Sequence, residues 1–293
     1  MLPLILLAGL GAVVGRRAAV PVEALSKLVF DLFTPALVFT TIVTVDIDAD
    51  LVPRIAAVIA GVMIVSGLVG VGAGRALRWS SRRAAATGLS LGLINLGNMG
   101  LPVSGLAFGP EGLAVGVVAF ITGSIVNNSF GVVLASSGES VSWHRALLAP
   151  LRVPAVWALP PAFAIRLGGF EPGPWLVEPT SLLAAAAVPL MLVVLGLQVT
   201  ASRPRLREFS SLVAPTAARL LGGPLLAYGL TELVGLQGVA QHTLIVLGGM
   251  PPAVLATIIA TRHDADPTLV AQTVMVATTL SFVTLTALIA ALA

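Results

Sequence analysis

The stretch LINLGNMGLPVSGLAFGP at residues 93–110 combines the hydrophobicity of a membrane helix with residues that break helices. Its middle contains two asparagines, two glycines and a proline: Asn95, Gly97, Asn98, Gly100 and Pro102. Proline removes an amide donor and glycine loosens a helix, so we expect backbone groups near residues 97–101 to lack intrahelical partners. Broken backbone at membrane depth is tolerated only where protein or a wet cavity surrounds it. The stretch is therefore a candidate binding site.

A similar pattern lies in the second half of the chain. The motif LGNM at residues 96–99, followed by Pro102, corresponds to LGGM at residues 247–250, followed by Pro251 and Pro252. The motif PALV at residues 35–38 corresponds likewise to PLML at residues 189–192. Because both matches occur at nearly the same offset, the pattern predicts an internal duplication.

The composition predicts an integral membrane protein. Of the 293 residues, 57% are apolar and 10% are charged, and the mean hydropathy is +1.02. These values lie outside the range of soluble domains. The chain has no cysteine, which excludes disulfides, thiol nucleophiles and cysteine metal sites. The formal net charge is only +3, and the arginines lie in short gaps between apolar runs. We therefore predict the lipid bilayer, and not nucleic acid, as the partner.

The chain contains ten apolar runs when measured against the roughly 20 residues that a membrane helix needs. They lie at residues 2–20, 25–44, 52–74, 84–109, 111–136, 153–170, 179–200, 209–235, 238–261 and 267–292. Arg16 and Arg17 follow the first apolar core, whereas a signal peptide carries its positive charge before that core. We therefore interpret the first run as a membrane span.

Positive charges are concentrated in alternate gaps between the runs. The odd-numbered gaps hold most of the Lys and Arg residues, and the even-numbered gaps hold most of the acidic residues. Lys and Arg accumulate on the cytoplasmic side, so we predict a multi-pass protein of the cell inner (plasma) membrane with both termini outside. The predicted domains are a first five-helix repeat at residues 1–140, a cytoplasmic linker at 141–152 and a second repeat at 153–293. Because five is odd, the second repeat is inverted relative to the first.

Several of these motifs resemble the auxin efflux carrier family, which includes bacterial malate and malonate permease-like proteins and the plant PIN carriers. The resemblance rests on TPALVF at residues 34–39, GNMGLP at 97–102, FGPEG at 108–112 and MPPA at 250–253. It implies an all-α membrane protein of ten transmembrane helices, built as two inverted five-helix repeats, with a scaffold unit and a mobile transport unit. It also implies that broken helices 4 and 9 cross at the substrate site, an architecture similar to that of bile acid symporters. Plant members carry Asn-Pro-Asn there, whereas here the proline follows Asn98 by four residues.

Two broken spans that run in opposite directions predict an anion site. Each half-helix N-terminus offers free amides and about half a positive charge, which suits a carboxylate. We predict a small organic anion as substrate, and the resemblance implies a carboxylate such as malate, malonate or an auxin-like acid. The residues predicted to bind it are Asn95, Asn98, Met99, Gly100, Pro102, Gly249, Met250, Pro251, Pro252, Asn127, Asn128 and Arg219. The alternatives are kinks that only shape packing, asparagines that join helices, and an arginine that snorkels or pairs with another helix.

Asp31 and Gln272 are the candidates for coupling to H⁺ or Na⁺. Asp31 lies within the second run, where a charge is a functional hypothesis, but Lys27 four residues earlier offers it an ordinary helical ion pair. Gln272 and Gln198 are weaker polar candidates. We predict no cofactor and no metal, because the three histidines, His144, His242 and His263, are scattered.

Secondary active or facilitative transport by alternating access is the leading functional hypothesis. The nearest alternative is sodium-coupled symport of larger organic anions, similar to that of the bile acid symporters. An anion channel is a further alternative, and a homodimer is left open. An intramembrane enzyme is disfavoured because no nucleophile with a base, pair of carboxylates or set of metal ligands assembles in the spans.

Overall fold

A computed structural model of the chain describes residues 2–18, 20–136, 151, 153–170, 172–201 and 209–292. Within these ranges every regular element is helical, and helical segments occupy part of all ten predicted runs. Apart from Leu151, the predicted linker at residues 141–152 lies outside the described residues.

The described part of the first half contains six α-helices and two π segments. The α-helices are α1 (Leu2–Arg17), α2 (Val22–Leu28), α3 (Thr34–Thr44), α4 (Leu51–Ala76), α5 (Ser81–Gly92) and α6 (Leu101–Ala135), and the π segments are Val29–Phe33 and Leu96–Gly100. Gly109 interrupts α6 with φ 68° and ψ −158°, and Pro110 follows it. Glycine adopts a positive φ without steric cost and proline cannot donate a hydrogen bond, so α6 is two helices joined at a bend. The bend lies where predicted runs 4 and 5 meet.

The second half repeats this alternation of long and interrupted helices. Its elements are a 3-10 turn (Pro154–Ala158), α7 (Leu159–Gly168), α8 (Pro174–Ala201), α9 (Phe209–Ala217), a π segment (Ala218–Gly222), α10 (Gly223–Leu233), α11 (Gly238–Gly248), α12 (Val254–Arg262) and α13 (Pro267–Leu292). Five helices among the described residues are individually long and apolar enough to cross a membrane: Val22–Thr44, Leu51–Ala76, Leu96–Ala135, Pro174–Thr200 and Pro267–Leu292. The helices around the two breaks are short, with 12 residues in α5, 11 in α11 and 9 in α12.

Each of the three π segments ends two residues before a proline. The prolines are Pro35, Pro102 and Pro224. A proline has no amide hydrogen and its ring pushes away the carbonyl four residues earlier, which opens the helix by one residue. The amides of Thr34 and Leu101 accordingly donate to carbonyls five residues back, those of Val29 and Leu96. The prolines therefore determine where these helices widen.

The helices pack as two groups. In one group α1, α2 and α3 contact α8, and α3 also contacts α7. In the other, α4 packs against α5, α6 and α10, α11 packs against α6 and α10, and α13 packs against α5 and α12. The π segment Leu96–Gly100 contacts α8 and so lies where the two groups meet.

Polar contacts at the ends of the helices join segments that are far apart in sequence. Arg82, in the first turn of α5, donates from Nε to the carbonyl of Asp264 at 2.7 Å and pairs with the Asp264 carboxylate. Arg166 of α7 donates to the carbonyls of Ile42 and Val45 at 2.8 and 2.6 Å and pairs with Asp46. The turn before α5 thus lies beside the turn after α12, and the end of α3 lies beside the end of α7.

Candidate functional site

The two helix breaks cross each other as short antiparallel strands. The amide of Asn95 donates to the carbonyl of Pro251 at 3.0 Å, and the amide of Ala253 donates to the carbonyl of Leu93 at 2.9 Å. Ile94 and Pro252 lie opposite each other between these bonds. Each break thereby satisfies backbone groups of the other, which a broken helix in an apolar environment requires. We call residues 93–95 and 249–253 together the crossing.

The first break lies earlier in the chain than the sequence pattern predicted. α5 ends at Gly92, and the π segment begins at Leu96. The amide of Gly100 donates to the carbonyl of Asn95 at 3.1 Å, so the expectation that residues 97–101 lack partners was wrong for Gly100 and Leu101. Pro102 lies directly after the π segment, within the half-helix that begins at Leu96. The proline therefore widens the second half-helix and does not interrupt it.

Two buried asparagines carry side-chain oxygens without a partner among the described residues. Asn98, 5% exposed, donates from Nδ2 to Oε1 of Gln198 at 3.5 Å, and its Oδ1 has no hydrogen bond. Asn127, 7% exposed, donates from Nδ2 to the carbonyl of Ile94 at 3.4 Å, and its Oδ1 is likewise unpaired. Buried polar atoms are nearly always satisfied, because leaving one unpaired costs free energy. A ligand with a hydrogen-bond donor would satisfy them.

Of the other predicted site residues, Gly249 and Met250 belong to the crossing, and Met99 and Gly100 lie in the π segment that follows its first strand. Gly249 and Met250 close the last turn of α11, with amides that donate to Val246 and Leu247 at 3.0 and 3.1 Å. Met99 is fully buried, and its Sδ lies 3.6 Å from the hydroxyl oxygen of Ser281. The carbonyl of Gly100 accepts from the hydroxyl of Ser104 at 2.9 Å.

Arg219 reaches the crossing from the π segment Ala218–Gly222. Its side chain is 1% exposed. Nε donates to the carbonyl of Met250 at 3.0 Å, Nη1 donates to the carbonyl of Leu91 at 2.6 Å, and Nη2 donates to the carbonyl of Gly248. The guanidinium therefore joins the end of α5 to the end of α11.

Asn128 and Asp31 have partners on their own helices, four residues away in each case. The Asn128 amide donates to the carbonyl of Ser124 on its own helix at 2.8 Å. Asp31 pairs with Lys27 on an exposed helix surface, as the simpler interpretation of its spacing predicted. Gln272 is buried within α13.

A stacked aromatic pair beside the crossing was missed by the sequence reasoning. The rings of Phe30 and Phe120 are stacked with centroids 6.4 Å apart, and Gly97 lies against both rings. A Cβ on Gly97 would lie 2.7 Å from Cε1 of Phe30. A phenylalanine in an apolar run looks the same in the sequence whether it lines a site or packs in the core. Gly97 was therefore the one residue of this group whose type could have indicated a close contact.

We expect Gly97→Ala to reduce transport severalfold, because the new methyl group displaces Phe30 from beside the crossing. Overpacking of this kind costs roughly 1–3 kcal/mol. The matched control is Gly72→Ala in α4, where a Cβ would meet nothing within 4 Å. Initial rates of uptake into proteoliposomes, corrected for the amount of reconstituted protein, provide the measurement. Equal rates for the two variants would contradict the expectation.

The chain matches a family model and is similar to two transporters of other organisms. The family model described as "Membrane transport protein" matches residues 1–146 and 145–289. An uncharacterized transporter of Methanothermobacter thermautotrophicus is 30% identical over 300 aligned positions, which cover 97% of this chain and 94% of that protein. An uncharacterized transporter of Methanocaldococcus jannaschii is 26% identical over 192 positions, covering 64% of this chain and 61% of that protein. The chain therefore belongs to the membrane transport protein family, that of the auxin efflux carriers, and is a multi-pass membrane transporter.

Proposed function

We propose that the protein moves small organic carboxylate anions across the membrane by alternating access, with the crossing as the substrate site. The observation that carries the proposal is the antiparallel pairing of the two breaks. Two half-helices begin beside the paired strands, one at Leu96 and one at Val254. First-turn amides have no intrahelical acceptors and carry partial positive charge, which suits a carboxylate. The unpaired oxygens of Asn98 and Asn127 would accept from a donor elsewhere on the substrate.

The proposal includes ten membrane crossings arranged as two inverted repeats. The contact of Arg82 with Asp264 joins the third and ninth gaps between the predicted runs. The contact of Arg166 with Asp46 joins the end of the sixth run to the second gap. If every run crosses the membrane, positions separated by an even number of runs lie on the same side, so both contacts are of the kind that the alternating topology requires. The antiparallel crossing supports the inversion of the second repeat.

Alternating access would come from movement of one helix group against the other. The group that contains the crossing would be the mobile one, and the group around α8 would be the scaffold. Asn98 and Gln198 form a polar contact between the two helix groups, at the long distance of 3.5 Å. A contact this weak is readily exchanged for one to a substrate, which supports Asn98 as the residue that links binding to movement. Coupling of this movement to H⁺ or Na⁺ is also part of the proposal.

Uptake into proteoliposomes tests the proposed function. We expect saturable uptake of at least one of radiolabelled malonate, malate and indole-3-acetate, above that of protein-free liposomes. An imposed pH or Na⁺ gradient should change the rate if transport is coupled, and Asp31→Asn and Gln272→Ala identify which candidate is involved. Preloading the lumen with unlabelled anion should accelerate uptake, because a carrier exchanges substrates and a channel does not. A lack of uptake of all three anions under every gradient would contradict the proposal.

A further inference from the structure

Arg219 contacts two segments that are far apart in sequence. Leu91 lies in the last turn of α5, and Gly248 ends α11, with Met250 two residues beyond it. α5 and α11 are the two half-helices that end at the crossing. All three guanidinium nitrogens of Arg219 donate to the carbonyls of these three residues. The planar group has a fixed fork of donors, so it holds the two helix ends in one relative position.

The same contacts change the charge at the crossing. A helix C-terminus carries about half a negative charge and a helix N-terminus about half a positive one. The single positive charge of Arg219 offsets the two C-terminal ends, which leaves the two N-terminal ends uncompensated. We infer that Arg219 is a positioning residue that clasps the two half-helices and cancels their negative ends, so that the crossing favours a substrate with one carboxylate. The charge preference rests on the proposed function, whereas the clasp does not.

A cysteine pair across the crossing reports, without any substrate, whether Arg219 holds the ends of α5 and α11 together. We call this role of Arg219 the clasp. The chain has no cysteine, so Ile94→Cys with Pro252→Cys supplies its only two thiols. The two positions form the pair between the inter-strand bonds, where Cα atoms of antiparallel strands are about 4.5 Å apart, within the range of disulfides. Oxidation by copper phenanthroline should therefore close an intramolecular disulfide, detected as the loss of maleimide-PEG labelling after denaturation.

The clasp is tested by adding Arg219→Lys to this cysteine pair. Lysine keeps the charge but cannot hold three carbonyls in a fixed plane, so we expect disulfide formation to slow by roughly tenfold or more. The matched control is Arg166→Lys, which also removes an arginine from helix-end carbonyls but away from the crossing. An unchanged rate with Arg219→Lys would overturn the clasp. No disulfide in the protein with Arg219 intact would also overturn it.

The charge is tested by uptake with Arg219→Met beside Arg219→Lys. With Arg219 present, we expect indole-3-acetate, which has one carboxylate, to have a lower KM for uptake than malonate, which has two. As a competitor, indole-3-acetate should likewise inhibit uptake at a lower concentration than malonate. Arg219→Met should raise the KM for indole-3-acetate roughly tenfold or more. Arg219→Lys, which keeps the charge, should have a KM closer to that of the unmodified protein but a low kcat. If Arg219→Met does not fold, the KM of Arg219→Lys decides, because a retained charge predicts a value near that of the unmodified protein. A preference for malonate would overturn the charge inference. Absence of any uptake would count against the proposed function and leave the disulfide result standing.

Discussion

Asn98→Asp is expected to lower carboxylate uptake by about a hundredfold or more. The substitution keeps the size of the side chain but adds a negative charge beside the half-helix that begins at Leu96. Two unit charges about 4 Å apart repel by about 4 kcal/mol at an effective dielectric constant of about 20, which exceeds a hundredfold in affinity. The new carboxylate would also lose the donor that Asn98 now offers to Gln198. Initial uptake rates and the KM for the transported anion provide the measurement.

The matched control for this prediction is Asn128→Asp. It makes the same chemical change on a neighbouring part of the molecule, at a half-buried residue whose amide donates to its own helix. We expect a much smaller loss of uptake, and a comparable melting temperature for the two purified variants. Equal losses in transport would mean that any added negative charge is harmful and that Asn98 has no special position. Asn98→Ala then separates repulsion from loss of the amide, because alanine removes the amide without adding charge.

The sequence located the crossing but not its form. Prolines and glycines mark where a helix is interrupted, so the breaks near residues 93–110 and 247–253 could be predicted from local chemistry alone. Pro102 was expected to break the helix, whereas it lies within the second half-helix, directly after the π segment that it widens. The chemistry of proline permits both outcomes, and the break itself forms where residues 93–95 pair with Pro251 and Ala253, far away in sequence.

Arg219 illustrates the same limit for a side chain. An arginine deep in an apolar run must have partners, and the sequence could name only an anion, another helix or the membrane interface. Its partners are backbone carbonyls, which every residue carries and which therefore leave no mark in the sequence. By contrast, the pairing of Lys27 with Asp31 was readable because a spacing of four residues places both on one helix face.

Gly223→Ala is expected to disrupt the crossing, whereas the same change at the adjacent Gly222 is expected to be tolerated. A Cβ on Gly223 would meet the backbone of Gly248 and lie 2.8 Å from Nη2 of Arg219, whereas a Cβ on Gly222 would meet nothing within 4 Å. Alanine favours a helix by about 1 kcal/mol over glycine at either position, so propensity alone predicts that both variants are stabilised. Contact with backbone should reverse this at residue 223, because backbone cannot turn aside as a flexible side chain can.

The expected cost of Gly223→Ala has two parts. Overpacking between α10 and α11 contributes about 1–3 kcal/mol, and loss of the charged hydrogen bond from Arg219 to Gly248 contributes about 1.5–3 kcal/mol. We expect a lower melting temperature in detergent, loss of uptake and slower disulfide formation in the cysteine pair at positions 94 and 252. Gly222→Ala should match the unmodified protein in all three measurements. If Gly223→Ala instead kept both transport and the disulfide, close approach of α10 to α11 would not be what places Arg219 at the helix ends.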